Sequence, residues 1–277
     1  MRKLYVCLGI LILLICGKTD AQVTIAPPLV VMDRENPYGS YLVANRSNQV
    51  KEVTISFKYG YPVSDDEGNV SVQYIDAPDS SHRTAVEWVR AFPRRFVLEP
   101  MQEQTVRLLV RPRGEVQEGT YTARIITSSE RADSEPGSFV NNDNEVSTRI
   151  NFKFNQVSAL MYRHGKVTTG VEIEDITTKH ADDNLDVYAS LRRQGNSPYI
   201  GSARLRIYNG ENKVIKETSQ SIAVYDEMVR RFRFAGDSIP PGDYTAELTL
   251  STSGRSDVSS SVLIKAPDVT KTFTISI

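Results

Sequence analysis

Three histidines, His82, His164 and His180, are the side chains best suited to proton transfer near neutral pH, and they fall in separate loop-like segments. No His-Glu-x-x-His or Gly-x-Ser-x-Gly run occurs, and glycine-rich phosphate loops are absent as well. The acidic runs "SDDEGN" (64–69) and "NNDNE" (141–145) look briefly like calcium loops. Neither supplies ligands at alternating positions followed by a distal glutamate, so both are read as turns. Asp182, Asp183 and Asp186 are read as a solvated acidic loop. The sequence therefore assigns no catalytic residue, no metal ligand and no cofactor, and the chain is expected not to be an enzyme.

Arginine is the other chemistry on offer. The stretch "AFPRRFVLEPMQEQTVRLLVRP" (91–112) crowds it around two apolar bursts. Thr105, Arg107 and Arg111 alternate with Val106, Leu108 and Val110, which makes Arg107 and Arg111 the wet side of a strand. Arg94 and Arg95 follow Pro93 at the start of a strand and are the better candidates for touching a partner. Nucleic acid is not expected as that partner, because the net charge is −1 and Phe152-Lys153-Phe154 is an isolated basic–aromatic pattern. With Trp88 as the one tryptophan, an aromatic sugar platform is not indicated either.

The elements that must hold these residues are strands. Val50 to Tyr59 alternates, with Val53, Ile55, Phe57 and Tyr59 on one side, and Val70, Val72 and Tyr74 alternate after the turn at 64–69. No segment keeps a helical period. "EGTYTARI" (118–125) recurs as "PGDYTAEL" (241–248), and in immunoglobulin-like sandwiches a tyrosine so placed ties down the preceding corner. Tyr121 and Tyr244 are expected to do so. Two corners imply an all-β fold of two immunoglobulin-like β-sandwich domains in tandem, 22–163 and 164–277, joined near "RHGKVTTG" (163–170). A long polar loop is expected at 128–145.

Residues 1–21 are set apart. Arg2 and Lys3, an apolar run from Leu4 to Cys16, and small Thr19 and Ala21 before Gln22 read as a secretory signal peptide. Lipidation at Cys16 is the lesser alternative, because bulky Ile15 precedes it. Cleavage would remove both Cys7 and Cys16, leaving a disulfide-free chain for an oxidising compartment.

In order, Pro93, Phe96, Leu98, Pro100, Val106, Arg107, Leu108, Gly119, Tyr121, Tyr162 and Arg163 make residues 23–165 resemble the periplasmic chaperones of the chaperone–usher pilus pathway. The resemblance implies a periplasmic protein that caps pilus, fimbrial or other surface-assembly subunits by lending them a strand. It also implies contact with an outer-membrane usher. Counted back from Tyr162 and Arg163, the lent side chains are Ile150, Phe152 and Phe154, which alternate with Arg149, Asn151 and Lys153. An alternating strand can equally turn that stripe into its own core.

By the same resemblance, two basic residues hold the client's terminal carboxylate, but the matching positions here are Pro28 and Ala159. Arg94, Arg95, Arg149 and Lys153 are the alternative anchors. Arg163 is expected to pair with a carboxylate of the second domain, and an apolar edge at 148–157 invites self-association. The competing reading is a structural or adhesion module of an envelope or surface assembly, with no client cycle.

Overall fold

The computed structural model describes residues 23–79, 81–132, 152–181, 184–235, 239–255 and 257–277. The expected signal segment, Arg149, Ile150, Asp182 and Asp183 lie outside the described residues, as does the 128–145 loop from residue 133 onward.

All the regular elements that carry the fold are strands. One sheet of the first sandwich runs in the order β1 (Val23–Ala26), β3 (Tyr38–Asn45), β8 (Glu103–Val110), β6 (Val89–Phe92). The facing sheet contains β2 (Leu29–Asp33), β10 (Phe154–His164), β9 (Gly119–Arg131) and β4 (Lys51–Ser64). β5 (Val70–Ile75) and β7 (Arg95–Leu98) both pair with the far side of β4. Between Ala26 and Leu29 the chain leaves one sheet for the other, with a cis bond before Pro27.

Alternation decides what is buried. Tyr41, Val43, Val106, Leu108 and Val110 from the first sheet meet Val53, Ile55, Ile125 and Leu160 from the second. Arg107 and Arg111 stay exposed. At 1.5–3 kcal/mol per large side chain, such a set is the main stabilising term in a fold without cross-links.

Val70, Val72 and Tyr74 correct the periodicity argument, because they are exposed although they alternate. β9 accompanies β4 only as far as Lys58, and β5 pairs with Tyr59 to Ser64 beyond it. The β4–β5 hairpin therefore projects past the core that its pattern seemed to require. Ser128 to Arg131, expected in a loop, instead continue β9.

The second sandwich stacks β11 (Thr169–Ala181), β12 (Asn184–Gly195) and β15 (Glu227–Ala235) on a second sheet. That sheet comprises β14 (Val214–Val224), β13 (Tyr199–Tyr208), β16 (Asp243–Ser251) and β17 (Val269–Ser276). Val187, Leu205, Phe232 and Leu248 centre its core. The Tyr121 hydroxyl donates to the Gln117 carbonyl at 3.0 Å and that of Tyr244 to the Pro240 carbonyl at 2.7 Å. Both corners close four residues upstream, as the repeat suggested.

The sandwiches meet through both backbone and side chains, the Thr120 N–H donating to the Asn196 carbonyl at 3.1 Å. The β4–β5 turn reaches β15, where Ser64 Oγ accepts from the Val229 N–H at 2.6 Å and Arg231 Nη2 donates to Asn69 Oδ1 at 3.1 Å. Gly68, with φ of 71°, lies so close that a Cβ there would stand 2.8 Å from the Arg231 nitrogen. Tyr61 stacks on Tyr225 at 6.2 Å, and Thr120 Oγ1 donates to Ser197 Oγ at 2.7 Å.

Candidate functional site: the open edge of β10

β10 has a different neighbour on each side. Along its whole length it pairs antiparallel with β9, from Phe154 opposite Ser129 to His164 opposite Gly119. On its other side β2 runs parallel to it, but only opposite Ala159 to Arg163. The Ala159 N–H donates to the Pro28 carbonyl at 2.8 Å. From Phe154 to Ser158 no strand among the described residues occupies that side.

Leu160 and Tyr162 point into the core, so the period of two turns Phe154, Gln156 and Ser158 inward and Asn155 and Val157 outward. Phe154 is half-buried. Phe152, just before the strand, is 65% exposed and stacks its ring on Phe154 at 6.2 Å and 24°. The pair forms an apolar step at the start of the open stretch. Val157 adds an apolar group on the outer side at 43% exposure. Further in, the inner row turns polar, with Gln156 Oε1 and Ser158 Oγ buried and without a hydrogen-bond partner. Periodicity had drawn attention to the phenylalanines and passed over these two, although their type and position were visible.

The basic residues are distributed otherwise than expected. Arg94 donates from Nε to the Ile55 carbonyl at 3.3 Å. Arg95 is paired with Glu52, whose carboxyl is held below its usual range chiefly by that hydrogen bond, with Lys153 contributing more weakly. Arg94 precedes β7 and Arg95 is its first residue, across β4 and β9 from β10. Two strands thus separate them from this edge, and both residues are exposed. Lys153 does stand beside the open stretch and is exposed.

Pro28 and Ala159 come side by side, and neither carries charge. The cation nearest in register to Ala159 is Arg124 on β9. Its guanidinium turns the other way, donating to the Gly60 carbonyl at 3.0 Å and lying 5.6 Å from the Tyr225 ring centre.

Arg163 also departs from expectation. Its Nη2 donates to the Val262 carbonyl of the second sandwich, a backbone oxygen in place of a carboxylate. Burial pushes its guanidinium below the ordinary value, partly offset by Asp33 of the first sandwich.

His82 and Asp79 are in contact beside the junction of the sandwiches. A cavity of about 300 Å³ there is lined by Tyr59, Tyr61, His82, Arg193, Asn196 and Tyr225. His82 Nδ1 lies 2.7 Å from Asp79 Oδ1, but the adjacent Ser81 hydroxyl donates to that same carboxylate rather than to the imidazole. These bonds draw the Asp79 carboxyl down to about 2, with Ser81 the larger cause. A serine so engaged is not activated as a nucleophile. Among the described residues, no group of three or more His, Cys, Asp or Glu is arranged to hold a metal ion.

No family model and no curated protein matches the chain. Among solved structures it is similar to the YadV chaperone, at 10% identity and a TM-score of 0.47 over 91% of this chain and 100% of that one. It is also similar to the CupB2 chaperone of Pseudomonas aeruginosa, at 8% and 0.45 over 92% and 100%. The SafA pilin–SafB chaperone complex of Salmonella enterica gives 14% and 0.44 over 93% and 99%. With identity this low and TM-scores below one half, these likenesses assign no activity or partner.

Proposed function

We propose that the protein is a periplasmic, chaperone-like protein that binds and caps a pilus, fimbrial or other surface-assembly subunit by strand addition along β10. One observation carries the reading: among the described residues, 154–158 are paired on the β9 side only, beside an exposed Phe152 stacked on Phe154. Such an edge offers a client backbone hydrogen bonds for affinity and alternate side chains for fit. Burying Phe152 fully would contribute on the order of 2–3 kcal/mol. In sequence, Ile150 continues the alternation of Phe152 and Phe154, and Arg149 that of Lys153, the charge beside the edge. An usher would receive the loaded complex, and a second copy would pair along the same edge in the absence of client.

The test uses the mature chain expressed in the periplasm, with a photocrosslinking residue at Asn155. Crosslinks to a β-rich assembly subunit are expected, and Phe152→Ser with Phe154→Ser should abolish them while the melting transition persists. A double variant that captures the same subunit as well as the parent, or that unfolds, defeats the reading.

The uncharged pair Pro28 and Ala159 favours a second reading, a structural module that is a permanent part of an envelope assembly. Under it the same crosslinks would appear but would not be released as assembly proceeds.

A further inference from the structure

The polar inner row of β10 is costly in the free protein. Gln156 Oε1 and Ser158 Oγ are buried and unpartnered, and Ser158 is 1% exposed. Their neighbours on β9 offer no relief by default. Thr127, opposite Gln156, shares a hydrogen bond with the Tyr41 hydroxyl across the sandwich at 3.3 Å. A buried polar atom without a partner is destabilising, and folded proteins keep few of them. These two lie next to one another on the inner row, at the stretch of β10 that has no second strand neighbour among the described residues.

We infer that Gln156 and Ser158 select the client: the added strand must carry hydroxyl or amide side chains at the two inward positions opposite them. The inference rests on the strand-addition reading. Residues in register on neighbouring strands project to the same side with Cβ atoms about 4.5–5.5 Å apart, within reach of a hydroxyl. Whichever way the Gln156 amide is turned, its inner atom needs a complementary group, and Ser158 can either donate or accept. The recognised segment is thus an extended strand with apolar residues facing Phe152 and Phe154, followed by two Ser, Thr or Asn residues at alternate positions. A wholly apolar strand would seal both atoms away from any partner and is disfavoured.

Two synthetic strand peptides, identical except for Thr or the isosteric Val at those two positions, separate the possibilities. Their affinities are measured for the mature protein and for a Gln156→Leu, Ser158→Ala variant whose melting transition confirms folding. Amide exchange at Asn155 and Val157 reports where each peptide lies. The parent should bind the Thr peptide about tenfold tighter, corresponding to about 1.4 kcal/mol, and the variant should prefer the Val peptide. Equal or tighter binding of the Val peptide by the parent overturns the selectivity and leaves strand addition standing. Failure of both peptides to bind, or binding that leaves the Asn155 and Val157 amides unprotected, overturns both.

Discussion

The Ala159 N–H donates to the Pro28 carbonyl at 2.8 Å, and with that bond the lane beside β10 becomes occupied. Successive backbone groups along a strand face opposite neighbours. Ala159 faces β2, so the N–H groups of Asn155 and Val157 face the same way, where no strand among the described residues receives them, while those of Gln156 and Ser158 face β9.

Amide exchange should show this alternation. In the free protein Asn155 and Val157 should exchange at least tenfold faster than Gln156 and Ser158. Uniform protection across 154–158 would mean that some other part of the chain already covers the edge.

Gly68 offers a test of how the two sandwiches are held. Its left-handed φ costs an L-residue about 1–2 kcal/mol, and an added methyl would press on the Arg231 backbone. Gly68→Ala should therefore destabilise the protein by about 2 kcal/mol or more, with a broader distribution of inter-domain distances in X-ray scattering. An unchanged melting temperature and scattering curve would show that the hairpin tip does not bear on β15.

Tyr41 predicts the alkaline limit of stability. Burial pushes its hydroxyl up to about 12, against a smaller opposing effect from Thr127. The unfolded chain loses that proton near pH 10 and the folded one near 12, so the folded state holds more protons in between. Stability is therefore fully present below pH 10 and falls as pH rises to 12, by roughly 2–3 kcal/mol from this group. Tyr59, also raised to about 12 by burial, adds to the slope. Tyr41→Phe should flatten the loss measured by urea titration at pH 9, 10 and 11. An unaltered slope would place the alkaline sensitivity elsewhere.

Much of this architecture was legible in the residues. Val53 and Ile55 are fully buried as their spacing required, and Tyr121 and Tyr244 close corners that a repeated pentapeptide had marked. Periodicity reports that a strand has two unlike faces, and nothing about what lies against either one. Val70, Val72 and Tyr74 therefore looked like core while facing water, because β5 hangs on the outer half of β4. Arg94 and Arg95 were legible as basic residues at a strand entry, but only the pairing with β4 shows that they lie across the sheet from β10. Partner identity is likewise a tertiary matter: Arg163 found a carbonyl where a carboxylate was anticipated. Gln156 and Ser158 were visible as polar residues on an inward row, but only the layout of β2 shows that this row ends at an open side.

The early stop of β2 also behaves as a ruler. Under the strand-addition reading, a chain that pairs with β10 has Phe154 to Ser158 to cover, roughly 16 Å at about 3.3 Å per residue, before it meets Pro28 and Leu29. Slippage toward His164 is blocked by a tenant already in place. Under the strand-addition reading, β2 thus bounds a docked segment at one end, and the inner side chains select what lies before that boundary.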